Sequence, residues 1–536
     1  MGRAIGIDLG TTFSAVAVVD DTGTPVIVPA ADGRATTPSV VLFEQVAGHD
    51  RPVVGEVARR QAGSRPDDTV AYVKRYMGDP NWRFDSATDT QYRPEEISAI
   101  ILRELVRSAE ASLGESIRDV VITVPAYFDD SRRTATKQAG AIAGLNVLGV
   151  LNEPTAAALS FGIRADRDGT VLVYDLGGGT FDVTILGIEQ RTFTVLATDG
   201  DRNLGGFDWD NALMTTVVAE LESAHGVTGF LDDVDAVALL RQEAERAKRE
   251  LSQRESTTVN VAHGDARYTV ALSREQFETA SRSLLRRTQE LVEDTLDAAG
   301  LGWDDIDSVV LVGGSTRMPA VRSLVTRLSG REPVEGVDPD EAVALGAAVH
   351  ALTESGQDAA AALAPITVED VTSQALGTLA LDDQDLTRNF VVIERNTKVP
   401  AVGAEALSTM SARRQLTITV TQGDDADPDF VTTIGEGVLT LEEEWPAGTD
   451  FMVVYRYDLD QIVQVEVYRL PDEVFVGTFT IDRVANLTTA QVEAAAARLS
   501  ELVPAPEALG IPAPALPLTI PQTAQLTATA PLQSRR

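Results

Sequence analysis

Cysteine is missing from all 536 residues, which excludes a disulfide framework, a thiolate metal site and a cysteine nucleophile. Histidine is nearly as scarce. His49, His225, His263 and His350 are the four, and no two have the spacing of a metal-binding pair. No stretch approaches the ~18 consecutive apolar residues of a membrane span. The chain opens MGRAIGIDLG and enters an apolar strand almost at once, leaving no room for a secretory signal. Positive charge is short as well: Lys plus Arg number 45 against 81 Asp plus Glu, a net −36. Such a surface repels phosphate backbones and anionic lipid, which argues against nucleic acid or membrane as the main partner. A small anionic ligand stays open, because a few backbone amides and one Lys can hold phosphate locally. With 44% hydrophobic and 24% charged residues the composition is that of a globular protein. The expectation is a cytoplasmic protein of roughly three to four domains.

What is present has a clear order. Through residue 352, short β-branched runs (4–8, 120–124, 171–175, 308–312) alternate with longer helical patterns (95–113, 129–143, 234–251, 274–299), which predicts α/β with both sheet faces covered. Residues 353–370 form an Ala-, Gly- and Asp-rich linker. From 371 to 486 strand runs at 415–420, 437–441, 452–457, 462–468 and 474–481 carry no long helix and predict a β-sandwich. One helix follows within 487–503, capped by Thr488 or Thr489. Residues 504–536 are Pro-rich and lack aromatics, the composition of a disordered tail.

A faint internal repeat carries the chemistry. AIGIDLGTTFSAVAVV (4–19) and VLVYDLGGGTFDVTILGI (171–188) are each an apolar strand ending in Asp-Leu-Gly, a tight turn, and a second strand. Two such halves would set their turns face to face across a ligand cleft. No G-x-x-x-x-G-K-[ST] occurs, so the P-loop solution is excluded. Gly10, Gly177, Gly178 and Gly179 instead let backbone N–H groups approach phosphate oxygens, while Thr11, Thr12 and Thr180 add hydroxyls. Asp8 and Asp175, at strand ends, suit a Mg²⁺ held through waters. A third glycine turn, VLVGGSTRMP, follows another apolar strand.

The motifs IGIDLGTTFS, ITVPAYFDDSRRTATKQAG, NEPTAAAL, VYDLGGGTFDV, LVGGSTRMP and DPDEAVALGAA, in this order and spacing, resemble the nucleotide-binding domain of the 70-kilodalton heat-shock chaperones of the DnaK type. More weakly, DVTSQALG, RNTKVP, LTITVTQG and NLTTAQVE resemble the family's substrate-binding β-sandwich and the start of its lid. The resemblance implies an actin-like two-lobed ATPase domain over 1–352, ATP or ADP with Mg²⁺ as ligands, K⁺ as a further ion, and a polypeptide client. It implies that Asp8 and Asp175 hold hydrated Mg²⁺, and that Phe13, Gly205 and Gly206 join the two turns around the phosphates. Lys74 would reach the γ-phosphate and the attacking water; Glu153, Asp182 and Thr180 would orient water and ions. Glu245, Lys248, Arg249 and Ser252, on one helix face, would hold ribose and base with Gly313, Gly314, Ser315, Arg317 and Asp340. Leu407, Leu416 and Ile418 match the peptide pocket.

Several departures bear on that reading. The family's leucine-rich linker is replaced by Ile366, Thr367, Val368, Glu369 and Asp370, and an unpaired Glu there would weaken docking. The loop LDDQDLTRNF is acidic where the family's arch is apolar. Gly149 stands near the basic position where J-domain partners press, and the hairpin around 259–270 is short for an exchange factor, so neither partner is expected. With one helix ahead of the Pro-rich segment, no long helical lid is expected. The expectation is an ATP-hydrolysing, lidless chaperone-like protein with slow turnover. The competing readings are a nucleotide-dependent scaffold or sensor, an actin-like filament former, or a small-molecule kinase on the same fold.

Overall fold

The computed structural model describes residues 2–165, 168–356, 366–382, 384–479 and 486–502. Two sheets built on one plan dominate the first two thirds. In the first, the hairpin Ile5–Asp8 with Phe13–Val19 is antiparallel, and Asp119–Val124 runs parallel to Ile5–Asp8. In the second, Gly169–Leu176 pairs antiparallel with Phe181–Glu189, and Ser308–Val312 lies parallel to Gly169–Leu176. The repeat read from the sequence is therefore a structural one.

Each sheet buries its own core. Ile5, Ile7, Val18 and Ile122 pack with Ile97 and Ile101 of the helix Pro94–Leu113. Leu172, Tyr174 and Ile185 pack with Leu213 and Val217 of the helix Gly206–His225. The helices Glu153–Ala165 and Ala342–Ser355 run between the sheets at very close range. A Cβ on Gly346 would sit 1.7 Å from the Ala156 carbonyl oxygen, so only glycine permits that crossing. The pattern over 274–299 reads as one helix; the structure breaks it into Arg274–Ala280 and Arg282–Ala299. Ser281 leaves the helical region and turns its hydroxyl back to the Phe277 carbonyl, which ends the first segment.

Past residue 370 two four-stranded antiparallel sheets face each other around Leu416, Ile418, Val453, Tyr455 and Val465. The Tyr455 hydroxyl donates to the Gly377 carbonyl across the sandwich, at 2.9 Å. Part of the linker, 357–365, and the whole tail, 504–536, lie outside the described residues. The rest of the linker corrects an expectation. Thr367–Glu369 adds to the second sheet as a strand parallel to Thr192–Asp201. Glu369 does not obstruct that docking, because its carboxylate accepts from Thr194 at 3.1 Å and pairs with Lys398 at 2.6 Å. A polar residue at the linker is tolerated where partners on both sides satisfy it.

The β-region rests on the α/β part through a polar seam. Asp460 accepts from Lys137 at 2.5 Å and from the Val150 amide at 3.1 Å, Asp130 accepts from the Val463 amide, and Arg395 pairs with Asp199 at 2.8 Å. The terminal helix Thr489–Leu502 also lies on the α/β part. Leu487, Val492, Ala495 and Leu499 enter the first sheet's core, and Arg498 stands over the Tyr92 ring beside Glu96.

Candidate functional site

The two Asp-Leu-Gly turns meet directly. A Cβ on Gly178 would fall 1.9 Å from the Thr12 hydroxyl, and one on Gly179 would fall 2.7 Å from the Thr11 methyl. The first turn is braced from behind by Ser39, whose hydroxyl donates to the Gly10 carbonyl at 2.8 Å and whose amide donates to Thr12 at 2.9 Å. The second turn closes through the Gly177 amide to the Thr180 carbonyl at 3.0 Å. It is then stitched to Gly205 and Gly206: the Gly206 amide donates to Gly177 and the Phe207 amide to Gly178, at 3.0 and 2.8 Å. Ser315, from the third glycine turn, donates to the Gly177 carbonyl at 2.9 Å. All three glycine motifs therefore converge on one point.

Around that point the chain buries charge. Asp8 ends its strand, Asp175 and Asp182 are cross-strand partners in the second hairpin, and Glu153 opens the helix Glu153–Ala165. Lys74 lies in the short helical turn Val73–Tyr76 and gives its Nζ to Glu153 Oε1, with Phe128 facing the ammonium at 5.9 Å. It is buried, unlike a solvated helix lysine. Four carboxylates thus share one ammonium. Burial, and then the Glu153 charge, push Asp8 up to about 7 and Asp182 up to about 8, and raise Asp175 well above the usual carboxylate range. Lys74 opposes each shift without offsetting it. Asp182 Oδ1 accepts the Tyr127 amide at 2.9 Å, while its Oδ2 is buried with no partner.

This donor set fits a divalent cation. Raised carboxylates and an orphaned buried oxygen both mark missing positive charge. Among the described residues no three His, Asp or Glu side chains form a direct metal cage. That suits Mg²⁺, which keeps much of its hydration shell and needs few protein ligands.

The remaining predicted residues line the mouth. Glu245 pairs with Arg249 at 2.6 Å and, across the cleft, with Arg59 at 3.2 Å. Both guanidiniums flank the Phe13 ring, at 5.1 and 5.2 Å. Lys248 turns inward instead, to Asp210 and the Gly206 carbonyl, both at 2.8 Å, and Ser252 donates to its own helix at Lys248. Gly313 has φ +81°, and a Cβ there would strike the Leu176 carbonyl at 2.4 Å. Gly314 approaches Asp340, which Arg317 clasps together with Asp338. Thr11, Thr180 and Ser315 are buried in the convergence. Elsewhere, Leu416 and Ile418 are buried in the sandwich core and Leu407 packs partly against it.

Sequence reading missed Arg59, Ser39, Asp210, and the group Tyr72, Arg75 and Phe207. None sits in a glycine motif. Tyr72 and Arg75 flank Lys74, and Phe207 and Asp210 follow Gly205 and Gly206 closely, whereas Ser39 and Arg59 carry no local sequence signal.

A family model described as Hsp70 protein matches residues 4–502. The chain is 42% identical over 472 residues to a protein named Chaperone protein DnaK from Halobacterium salinarum strain R1, covering 87% of this chain and 72% of the relative. The Chaperone protein DnaK of strain NRC-1 of the same organism matches with the same figures. With the convergent glycine turns and the buried carboxylates, these matches lead to one conclusion: the chain belongs to the Hsp70 family of ATP-hydrolysing chaperones.

Proposed function

We propose that the cleft between the two Asp-Leu-Gly turns is where this chain binds ATP and hydrolyses it to ADP and phosphate, within an actin-like nucleotide-binding domain over 1–352. One observation carries the reading: two structurally repeated turns meet where three buried carboxylates and the half-buried Asp8 surround a single lysine. In this reading the amides of Gly10, Thr11, Thr12, Gly177, Gly178 and Gly179, with the hydroxyls of Thr11, Thr12 and Thr180, hold the phosphates. Phe13, Gly205 and Gly206 close the pocket around them. Mg²⁺, when bound, supplies charge neutralisation on the phosphate oxygens; Asp8 and Asp175 would hold it through water, and K⁺ would be a second cation. Lys74 orients the γ-phosphate while paired with Glu153. A water oxygen bonds to the γ-phosphorus as the bond to the β–γ bridging oxygen breaks. Asp182 Oδ2, buried and unpartnered, would take that water's proton once a bound cation holds the carboxyl ionised. Positioning and charge neutralisation suffice, with no covalent nucleophile.

Glu245 and Arg249 would hold ribose and base, and Lys248 and Ser252 would shape the helix beneath them. Gly313, Gly314, Ser315, Arg317 and Asp340 form the facing wall. The β-sandwich over 371–486 would bind an extended polypeptide, with Leu407, Leu416 and Ile418 as the floor of its pocket. The helix Thr489–Leu502 lies on the α/β part. No helix among the described residues is long and apolar enough to cross a membrane, and we place the protein in the cytoplasm. J-domain and exchange-factor partners find neither a basic residue at Gly149 nor a long hairpin at Ser256–His263 and Ala266–Ser273.

Single-turnover phosphate release by the full chain, with and without Mg²⁺ and with and without a panel of unfolded peptides, tests this. Mg²⁺-dependent release that changes with peptide is expected. No release sinks the site, and identical rates across the panel sink the coupling to a client.

A further inference from the structure

Phe207 follows the Gly205–Gly206 pair, at the start of the helix Gly206–His225. Its backbone belongs to the second phosphate turn, since its amide donates to the Gly178 carbonyl at 2.8 Å. Its ring meets residues from both sides of the cleft. Arg75 covers one side of it at 4.5 Å, Arg241 lies at 4.4 Å, and Tyr72 meets it edge-on at 5.0 Å. Arg75 is further fixed by Asp208, the next residue along, through contacts of 3.2 to 3.4 Å to both carboxylate oxygens, and its stem lies over Gly179.

Lys74 sits between these two gripping residues. Tyr72 holds φ at +60°, a left-handed conformation unfavourable for an aromatic residue, and this starts the helical turn carrying Lys74. That turn is anchored in the first core by Val73 and Met77, whereas the Phe207 helix is anchored in the second core by Trp209. One aromatic ring therefore ties the segment bearing Lys74 to the turn that would hold the phosphates.

We propose that Phe207 is a positioning residue for hydrolysis: by holding Tyr72 and Arg75 from the second turn, it sets the distance between Lys74 and the bound phosphates and slows opening of the cleft. The proposal rests on the reading of Lys74 as the γ-phosphate ligand. Arg241 belongs to the same half as Phe207, so the contacts that cross the cleft are the Arg75 cation over the ring and the Tyr72 edge, and losing both should be visible as about a tenfold change in rate.

The experiment uses the full chain with Phe207→Ala, Phe207→Leu, Phe207→Trp and Lys74→Ala. Release of a fluorescent ADP analogue is followed by stopped flow, and hydrolysis by single turnover at saturating ATP. Phe207→Ala and Phe207→Leu should release nucleotide about tenfold faster and hydrolyse several-fold more slowly, with Phe207→Trp returning both rates towards wild type. Should the alanine variant fail to fold, the leucine variant decides, because it keeps apolar volume and removes only the π face. Wild-type rates in the leucine variant overturn the proposal, as does a tryptophan variant no better than leucine. A Lys74→Ala variant that hydrolyses normally overturns the reading of Lys74 and the proposal with it. An inactive Lys74→Ala beside an unchanged Phe207→Leu removes only the role of Phe207.

Discussion

The cleft between the two Asp-Leu-Gly turns and the seam between the α/β part and the β-region both bury polar groups, and they differ in how those groups are partnered. In the cleft Asp8, Asp175, Asp182 and Glu153 surround one lysine, and burial, then the neighbouring negative charge, raises Asp8, Asp175 and Asp182. At the seam burial raises Asp199 and Asp370 as well, but partners on the spot oppose the shift: Arg395 beside Asp199, and the Val371 amide and Asn152 on Asp370, while Asp460 is held by Lys137 and the Val150 amide. A buried charge is tolerated when paired and is costly when it is not. The seam is therefore complete as the chain folds, whereas the cleft, in the proposed reading, would be completed by cations and a ligand. Stability and function are assigned to different surfaces of the same protein.

The largest way to break that contrast is at the cleft. Asp175→Asn removes one of the charges that would hold the cation, and single-turnover hydrolysis should fall by roughly two to three orders of magnitude. Thermal unfolding without nucleotide should stay level or rise, because a raised buried carboxylate stabilises nothing at neutral pH. Had the seam been built like the cleft, removing a charge there would do the same. Instead Asp460→Ala should loosen docking by roughly 0.5–1.5 kcal/mol, since the pair is part exposed and one bond is to backbone. Hydrogen exchange at the Val150 amide would read that loss, and no loss of protection would show that Asp460 does not hold the seam.

A smaller effect separates the linker from both. Glu369→Leu should not strengthen docking, because it removes the contacts to Thr194 and Lys398; tighter docking would mean the polar linker is a defect after all. The smallest concerns pH. His350 is pushed below 6.5 by burial, against the opposing charges of Glu354 and Asp460, the latter also held by Lys137. The folded state then binds fewer protons than the unfolded state. Its contribution is full above about 6.5 and is lost as pH falls below that value. His350→Gln should flatten this slope in a pH series of unfolding midpoints, and an unchanged slope would assign it to other groups.

Much of this was legible in the sequence where the signal is local. Asp-Leu-Gly after an alternating strand marked both turns because strand period and glycine content act over a few residues. The terminal helix was likewise readable from its cap and spacing. The break at Ser281 was not, since Arg274 to Ala299 keeps helical composition throughout and only a side-chain hydrogen bond ends the first segment. The Lys74–Glu153 pair spans 79 positions and Phe207 grips residues far upstream, so neither contact leaves a periodic trace. Glu369 misled for a related reason: composition marks a charge as unfavourable, and only tertiary structure supplies Lys398.

The central claim is that the shared lysine in a carboxylate-rich cleft drives phosphoryl transfer, and single-turnover ATP hydrolysis by wild type and Lys74→Ala tests it most directly. The account predicts that Lys74→Ala still binds ATP within a few-fold of wild type while hydrolysis drops at least about a hundredfold. Hydrolysis within a few-fold of wild type, with binding intact, would contradict it.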